Sequence, residues 1–223
     1  MARHDVFITG GTGYIGRALI PALLERGHAV RALARRESAG KLPAGVDAVE
    51  GNALDAASYR DRVTPADTFI HLVGTPHPSP LKARQFREVD LVSIKAAVDA
   101  ASHARVHHFI YLSVAHPAPI MAAYIAVRKQ GEALVRQSGM RATLVRPWYV
   151  LGPGHYWPFA LAPFYGFFER LRPTREAALR LGLVTLDAMT VTLAHAVEHP
   201  PESHRVIEVP EIAEAWKLKG SGK

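Results

Sequence analysis

Glycines at positions 11, 13 and 16 follow a short apolar run in residues 5–16, DVFITGGTGYIG. Their spacing satisfies G-x-G-x-x-G, and residues 9–16 also fit T-G-x-x-G-x-x-G through Gly10, Gly13 and Gly16. Glycine at such places serves a sharp turn, close approach of the backbone to a pyrophosphate, and tight packing of helix on strand. The helix that opens there aims free N–H groups and a partial positive charge at the phosphates. The bland alternative is an ordinary glycine-rich turn. Context points to a dinucleotide: a strand precedes the glycines and a helix follows. Gly10, Gly13 and Gly16 are the candidates to hold the pyrophosphate, and Thr12, Tyr14 and Ile15 are further candidate cofactor contacts.

A second group of residues would choose between two such ligands. Dinucleotide sites that take NAD place an acid at the end of the second strand for the ribose 2′-OH, whereas NADP sites place arginine nearby for the 2′-phosphate. Here the run AVRALARR puts Ala34 where the acid would stand, followed by Arg35 and Arg36. A guanidinium pairs with phosphate as a bidentate fork. The sequence therefore favours NADP over NAD, although both arginines also suit a surface loop and Glu37 lies close by. Asn52 and Ala53, after the third strand, are expected near the adenine and Gly74 and Thr75 near the ribose and nicotinamide, with Leu72 and Pro147 as further cofactor contacts.

These groups need a scaffold that brings strand ends together. Strands are expected at residues 5–9, 28–35, 46–52, 67–74, 107–114 and 142–146, and helices at 14–26, 82–104 and 121–138. Asp55 reads as the N-cap of a short helix. Such alternation specifies an α/β fold, a Rossmann-type doubly wound parallel sheet. Pro21 falls inside the first helix and predicts a kink or a lost hydrogen bond. In the helix at 82–104, Phe86, Val89, Val92, Ala96 and Ala97 form the expected apolar stripe. Residues 75–81, TPHPSPL, carry three prolines and read as a loop past a strand's carboxyl end, where open α/β sheets bind ligands.

Residues 1–147 are thus expected to form a dinucleotide-binding core, 148–210 a small C-terminal lobe packed on the same domain, and 211–223 a tail with a disordered tip. Residues 147–168 hold no Asp, Glu, Lys or Arg and nine of the chain's eighteen Phe, Trp and Tyr. That length suits a bilayer, but four prolines and three glycines oppose a membrane-spanning helix. The stretch reads as core, dimer surface, lipid-facing patch or the wall of an apolar pocket. On the last reading His77, Trp148, Tyr149, Tyr156 and Trp157 would meet the substrate. Within the lobe a strand at 183–186, a helix at 187–198 with Asp187 as N-cap, and a strand at 205–209 are expected.

The motifs together resemble the short-chain dehydrogenase/reductase superfamily, in its atypical or extended NmrA-like and epimerase-like branch. The resemblance spans residues 5–210. It rests on TGGTGYIG at 9–16, HLVG at 71–74, YLSVA at 111–115, Tyr124 opening a helix, and RPWYVLGPG at 146–154. It implies that Ser113 orients the substrate and that Tyr124 exchanges the proton. It also implies a lysine four residues after the tyrosine; Arg128 stands there, and Lys129 comes one residue late. One residue turns a helix by about 100°, so Lys129 would point elsewhere. Arg128 can donate hydrogen bonds to a ribose and bring positive charge to the phenol, but it does not give up its own proton.

The expected function is an NADP(H)-dependent oxidoreductase with Tyr-x-x-x-Arg in place of Tyr-x-x-x-Lys. Its substrate would be an apolar carbonyl, quinone-like or unsaturated small molecule. The rivals are a non-catalytic NADP(H)-binding redox sensor or accessory subunit, and a nucleotide-sugar epimerase or dehydratase. The net charge of +7 is scattered and comes without a nucleic-acid-binding motif, so no nucleic-acid partner is expected. A peripheral membrane or a larger complex stays open as a contact, as do the monomer and the homodimer. Absence of cysteine and of an apolar leader suits the cytoplasm. His195, Glu198 and His199 match H-x-x-E-H, but at a helix end with no third ligand in context no metal is expected.

Overall fold

Seven short strands pair as one parallel sheet. The computed structural model describes residues 2–118, 120–153 and 181–220, with side chains to residue 215. The strands are β1 (Asp5–Thr9), β2 (Ala29–Ala34), β3 (Asp47–Glu50), β4 (Thr68–His71), β5 (His108–Leu112), β6 (Arg141–Arg146) and, beyond a separate pair, β9 (His204–Glu208). Their order is β3-β2-β1-β4-β5-β6-β9, every neighbour parallel. The chain winds outward from β1 in both directions, so the crevice between the ends of β1 and β4 is the topological switch point. The remaining pair, β7 (Tyr149–Leu151) and β8 (Leu183–Thr185), forms its own parallel ladder.

Alternation along the strands sends side chains to two cores. Val6 and Ile8 of β1 join Ile70 and Ile110 on one face, under Leu19, Ile20 and Leu23 of α1 (Tyr14–Glu25). Phe7, Phe69 and Phe109 lie side by side in register on the other face, with ring centroids 5.3 and 5.2 Å apart. Over them pack Ile94, Ala97, Ala100 and Ala101 of α2 (Val92–His103), whose small residues let the helix approach closely. The other helices are α3 (Ala122–Gln137), α4 (Leu186–Glu198) and α5 (Val209–Gly220). Among the described residues no helix is long and apolar enough to cross a membrane.

Several local expectations change. α1 runs on through Pro21 for its full 12 residues, lacking only the donor that proline cannot supply. The expected helix at 82–104 is not regular: a 3₁₀ turn (Pro80–Lys82), one α turn (Ala83–Gln85) and a π-helical turn (Phe86–Leu91) precede α2. The π turn shifts the helical face, so Val92 is left 38% exposed while Asp90 and Ser93 are buried. Asp55 does cap a short helix, its Oδ1 accepting from the Ala57 amide at 3.1 Å. Asp187, by contrast, lies inside the first turn of α4; the cap is Thr185, whose Oγ1 accepts from the Ala188 amide at 3.1 Å. Residues 209–220 form α5 where a tail was expected, anchored by buried Val209 and Ile212. The expected disordered tip, 221–223, lies outside the described residues.

Candidate functional site

The glycine turn leaves β1 and packs against the turn that leaves β4. Gly10 has a φ of +82°, and a Cβ there would stand 2.9 Å from the Leu72 carbonyl carbon. A Cβ on Gly16 would stand 2.5 Å from the Gly10 oxygen and 2.6 Å from the Gly11 Cα, so α1 can press on the turn only without one. The Gly13 amide donates to the Gly10 carbonyl at 3.0 Å and closes the turn. Gly13 is the N-cap of α1 with no side-chain cap, and no acid occupies the helix's first turn. The first amides of α1 therefore face the crevice with their dipole uncompensated, which suits a pyrophosphate. Thr12, Tyr14 and Ile15 lie on the same turn and first helical residues.

The other expected cofactor contacts follow the ends of strands β2, β3 and β6. Arg35 and Arg36 follow β2 and are exposed; Arg35 Nε lies 3.3 Å from Glu37 and Arg36 Nε 3.0 Å from Glu50. These are solvent-screened pairs of small worth, so both guanidiniums can be drawn to a phosphate. Asn52 follows β3; its Oδ1 accepts from the Leu54 amide at 3.0 Å, and Ala53 packs on the phenylalanine core. Pro147 is buried, its carbonyl accepting from the Ala115 amide at 2.9 Å.

Next to the β4 turn stands the Tyr-x-x-x-Arg pair, four residues apart on α3. Tyr124 is half-buried, with its ring 4.9 Å from that of Phe86. The Arg128 guanidinium carbon lies 5.0 Å from the Tyr124 ring centroid, a cation–π distance. Arg128 is buried and spans three elements. Its Nη1 donates to the Leu112 carbonyl at 2.9 Å and to the Val73 carbonyl at 3.4 Å, and its Nη2 pairs with Asp90 Oδ1 at 2.7 Å. The guanidinium also fills the space a Cβ would need at Gly74. Asp90 Oδ2 accepts from the Thr75 hydroxyl at 2.6 Å and amide at 3.1 Å. Burial works against the Arg128 charge, but Tyr124, Tyr111 and Asp90 outweigh it and hold the group protonated. Lys129 is exposed, one residue around the helix, as its spacing predicts.

Ser113 lies at the end of β5 but turns to a different partner. Its hydroxyl donates to Glu132 Oε1 at 2.6 Å. Arg146 forks onto the same carboxylate, Nε at 2.8 Å and Nη2 at 2.5 Å, and His116 Nε2 stands 3.5 Å away. Burial pushes the Glu132 pKa up, but hydrogen bonds from Arg146 and Ser113 outweigh it and hold the carboxyl below its ordinary value. His77 is exposed in the loop after β4 with a φ of 47°. Trp148 and Tyr149 stand edge to face, centroids 5.6 Å apart. Tyr156 and Trp157 lie outside the described residues.

A family model described as NAD(P)H-binding matches residues 10–153. The chain belongs to this NAD(P)H-binding family. It is 35% identical over 159 residues to the ceramide reductase of Caulobacter vibrioides, covering 69% of this chain and 48% of that protein. It is 29% identical over 168 residues to the 4-hydroxy-2-methyl-3-oxo-4-farnesyl-3,4-dihydroquinoline-1-oxide ketoreductase of Stigmatella aurantiaca, covering 66% and 50%. The chain thus spans about half the length of these curated relatives. Among solved structures it is similar to the Bordetella bronchiseptica enzyme WbmH in complex with NAD+, with a TM-score of 0.67 and 21% identity over 92% of this chain and 75% of that one. That likeness shows the fold. The expected Rossmann-type fold and the expected NAD(P)-binding family are borne out.

The glycine turn fits that dinucleotide on its own geometry, through the uncapped helix start and the absent side chains at 10 and 16. Sequence reasoning missed Asp90 and Glu132. The signal for Asp90 was available: a cation four residues from Tyr124, on a helix face turned to the core, requires a buried anion. The H-x-x-E-H residues point to structure: the His195 and His199 rings stack at 3.9 Å, and Glu198 pairs with Arg26 at 2.7 Å. Among the described residues no group of three His, Asp or Glu could hold a metal ion.

Proposed function

We propose that this chain is an NADPH-dependent reductase of an apolar carbonyl, quinone-like or unsaturated small molecule. The observation that carries the reading is the bridge made by Arg128. One guanidinium touches the turn after β4, beside the dinucleotide crevice, and lies against the ring of Tyr124. It thereby ties a phenol to the place where a nicotinamide would reach the strand ends. When bound, NADPH supplies a hydride. Tyr124 would give its hydroxyl proton to the substrate oxygen, completing the conversion of C=O to CH–OH. The Arg128 guanidinium carbon, 5.0 Å from the centre of that ring, brings positive charge beside the phenol. The uncapped start of α1 would hold the pyrophosphate, and Arg35 and Arg36 the 2′-phosphate. Both relatives named above carry reductase names, one for a ceramide and one for a farnesylated quinoline, which supports an apolar substrate.

The test mixes purified protein with NADPH and a panel of quinones, aldehydes and long-chain ketones, and follows absorbance at 340 nm. Tyr124→Phe is expected to lower turnover by about 10²–10⁴-fold, the range for loss of a positioned acid. Arg35→Ala with Arg36→Ala is expected to weaken NADPH far more than NADH, and equal losses would refute the NADP assignment. A second reading is a protein that holds NADPH without turning it over, as a redox sensor or accessory subunit. It is favoured by the pairing of Arg128 with Asp90 and of Ser113 with Glu132, which turns both groups to internal partners. Tight NADPH binding with no turnover across the panel would select it.

A further inference from the structure

We infer that Asp90 is a positioning residue: it fixes Arg128, and through it Tyr124, while holding the Gly74–Thr75 turn directly. This rests on the reductase reading above. Asp90 is 0% exposed and Arg128 3%. A buried ion pair is a poor source of stability, because desolvating two charges offsets most of their attraction. What such a pair does well is fix geometry, and here each atom of the carboxylate has a separate duty. Oδ1 holds the Arg128 guanidinium at 2.7 Å, and Oδ2 takes the Thr75 hydroxyl and amide at 2.6 and 3.1 Å. One carboxylate therefore sets the cofactor-side turn and the tyrosine-side cation together.

The segment carrying Asp90 gives independent support. Phe86 and Asp90 are four residues apart on the π turn, and face Tyr124 and Arg128, four apart on α3. Phe86 meets Tyr124 ring to ring at 4.9 Å, and Asp90 meets Arg128 charge to charge at 2.7 Å. π turns cost regular helical hydrogen bonding and collect at functional sites. Entry to α3 is also held in an unusual backbone state: Met121, its N-cap, has a φ of 65°. A non-glycine residue in that region stays there only when its surroundings enforce it. Tyr124 is thus constrained from the start of its helix and from across the helix interface.

The test removes both charges at once. Asp90→Asn with Arg128→Met leaves no unpaired charge, and the asparagine oxygen still accepts from Thr75. Its Tm is expected within a few degrees of the parent. NADPH binding, read by fluorescence, is expected to weaken at least tenfold and kcat to fall at least tenfold. A double variant with parental Tm, Kd and kcat would overturn the inference and leave the pair a packing feature. Should the double variant not fold, Asp90→Glu keeps the charge and displaces Arg128 by one methylene. It is expected to lose kcat and NADPH affinity tenfold while staying folded, and parental values for both would overturn the inference. If the parent binds NADPH but reduces nothing, the reductase reading fails by itself. The NADPH affinity of the Asp90 variants then still decides: an unchanged value overturns the inference, a weakened one supports it.

Discussion

Gly131 sits on α3 where the helix crosses Tyr111, a side chain with no exposure in the middle of the sheet. A Cβ at 131 would stand 2.5 Å from the Tyr111 hydroxyl oxygen and 2.9 Å from its ring. The ring is held by the core and cannot swing aside, so Gly131→Ala is expected to destabilise the protein by about 1–3 kcal/mol. Urea denaturation followed by circular dichroism checks it. Burial also pushes the Tyr111 pKa up to about 12, against the opposing pull of Arg128. Single residues were legible in the sequence where their type is forced by sterics. Gly10 and Gly16 belong to that kind, because no other side chain fits between β1, α1 and the turn after β4. Glu132 was not legible, since a carboxylate on a helix reads as solvated until its buried arginine is located; for Asp90 the sequence signalled that Arg128 needs a buried anion, but not which carboxylate supplies it.

At the scale of elements, the reliable signals were the strands. Their two-sided apolar runs admit few other placements, and strands expected at 5–9, 28–35 and 107–114 appear as β1, β2 and β5 to within two residues at either end. Helix detail was harder to read. The stripe of Phe86, Val89 and Val92 assumes a constant 3.6-residue period, and the π turn breaks that period before α2 begins. The cap of α4 was misplaced because Thr185 and Asp187 are both good caps two residues apart, and the β7–β8 pairing that ends at Thr185 decides between them. Thr185→Ala is expected to cost about 1 kcal/mol through loss of the bond to the Ala188 amide. Thr185→Ser should restore most of it, with urea midpoints as the measure.

Taken whole, the molecule holds several histidines in the neutral form. Burial pushes the His71 pKa down to about 3, with Arg128 adding to it, and that of His108 down to about 4. Their rings bond the hydroxyls of Thr9 at 2.8 Å and Thr143 at 2.9 Å. His28 is also lowered by burial, against the opposing pull of Glu198, and its Nδ1 accepts the His4 amide at 3.2 Å. In the unfolded chain each would titrate near ~6.5. Unfolding below that pH takes up protons the native state refuses, so stability is present above pH ~6.5 and falls as pH drops. Around pH 5, His71 and His108 alone predict uptake of about two protons on unfolding. The slope of unfolding free energy against pH measures it, and a flat slope between pH 6 and 5 would contradict the burial of both rings.

The sheet's outermost strand on one side, β9, comes from residues 204–208, yet it covers the flank of β6, which ends at residue 146. During synthesis the ribosome must therefore add almost sixty further residues before that flank is sealed. Until then the nascent chain carries an open row of backbone amides and carbonyls, the kind of edge that recruits strands from other chains. Stalled chains ending near residue 200 should accordingly bind holdase chaperones and yield to protease, whereas release beyond β9 should make them resistant.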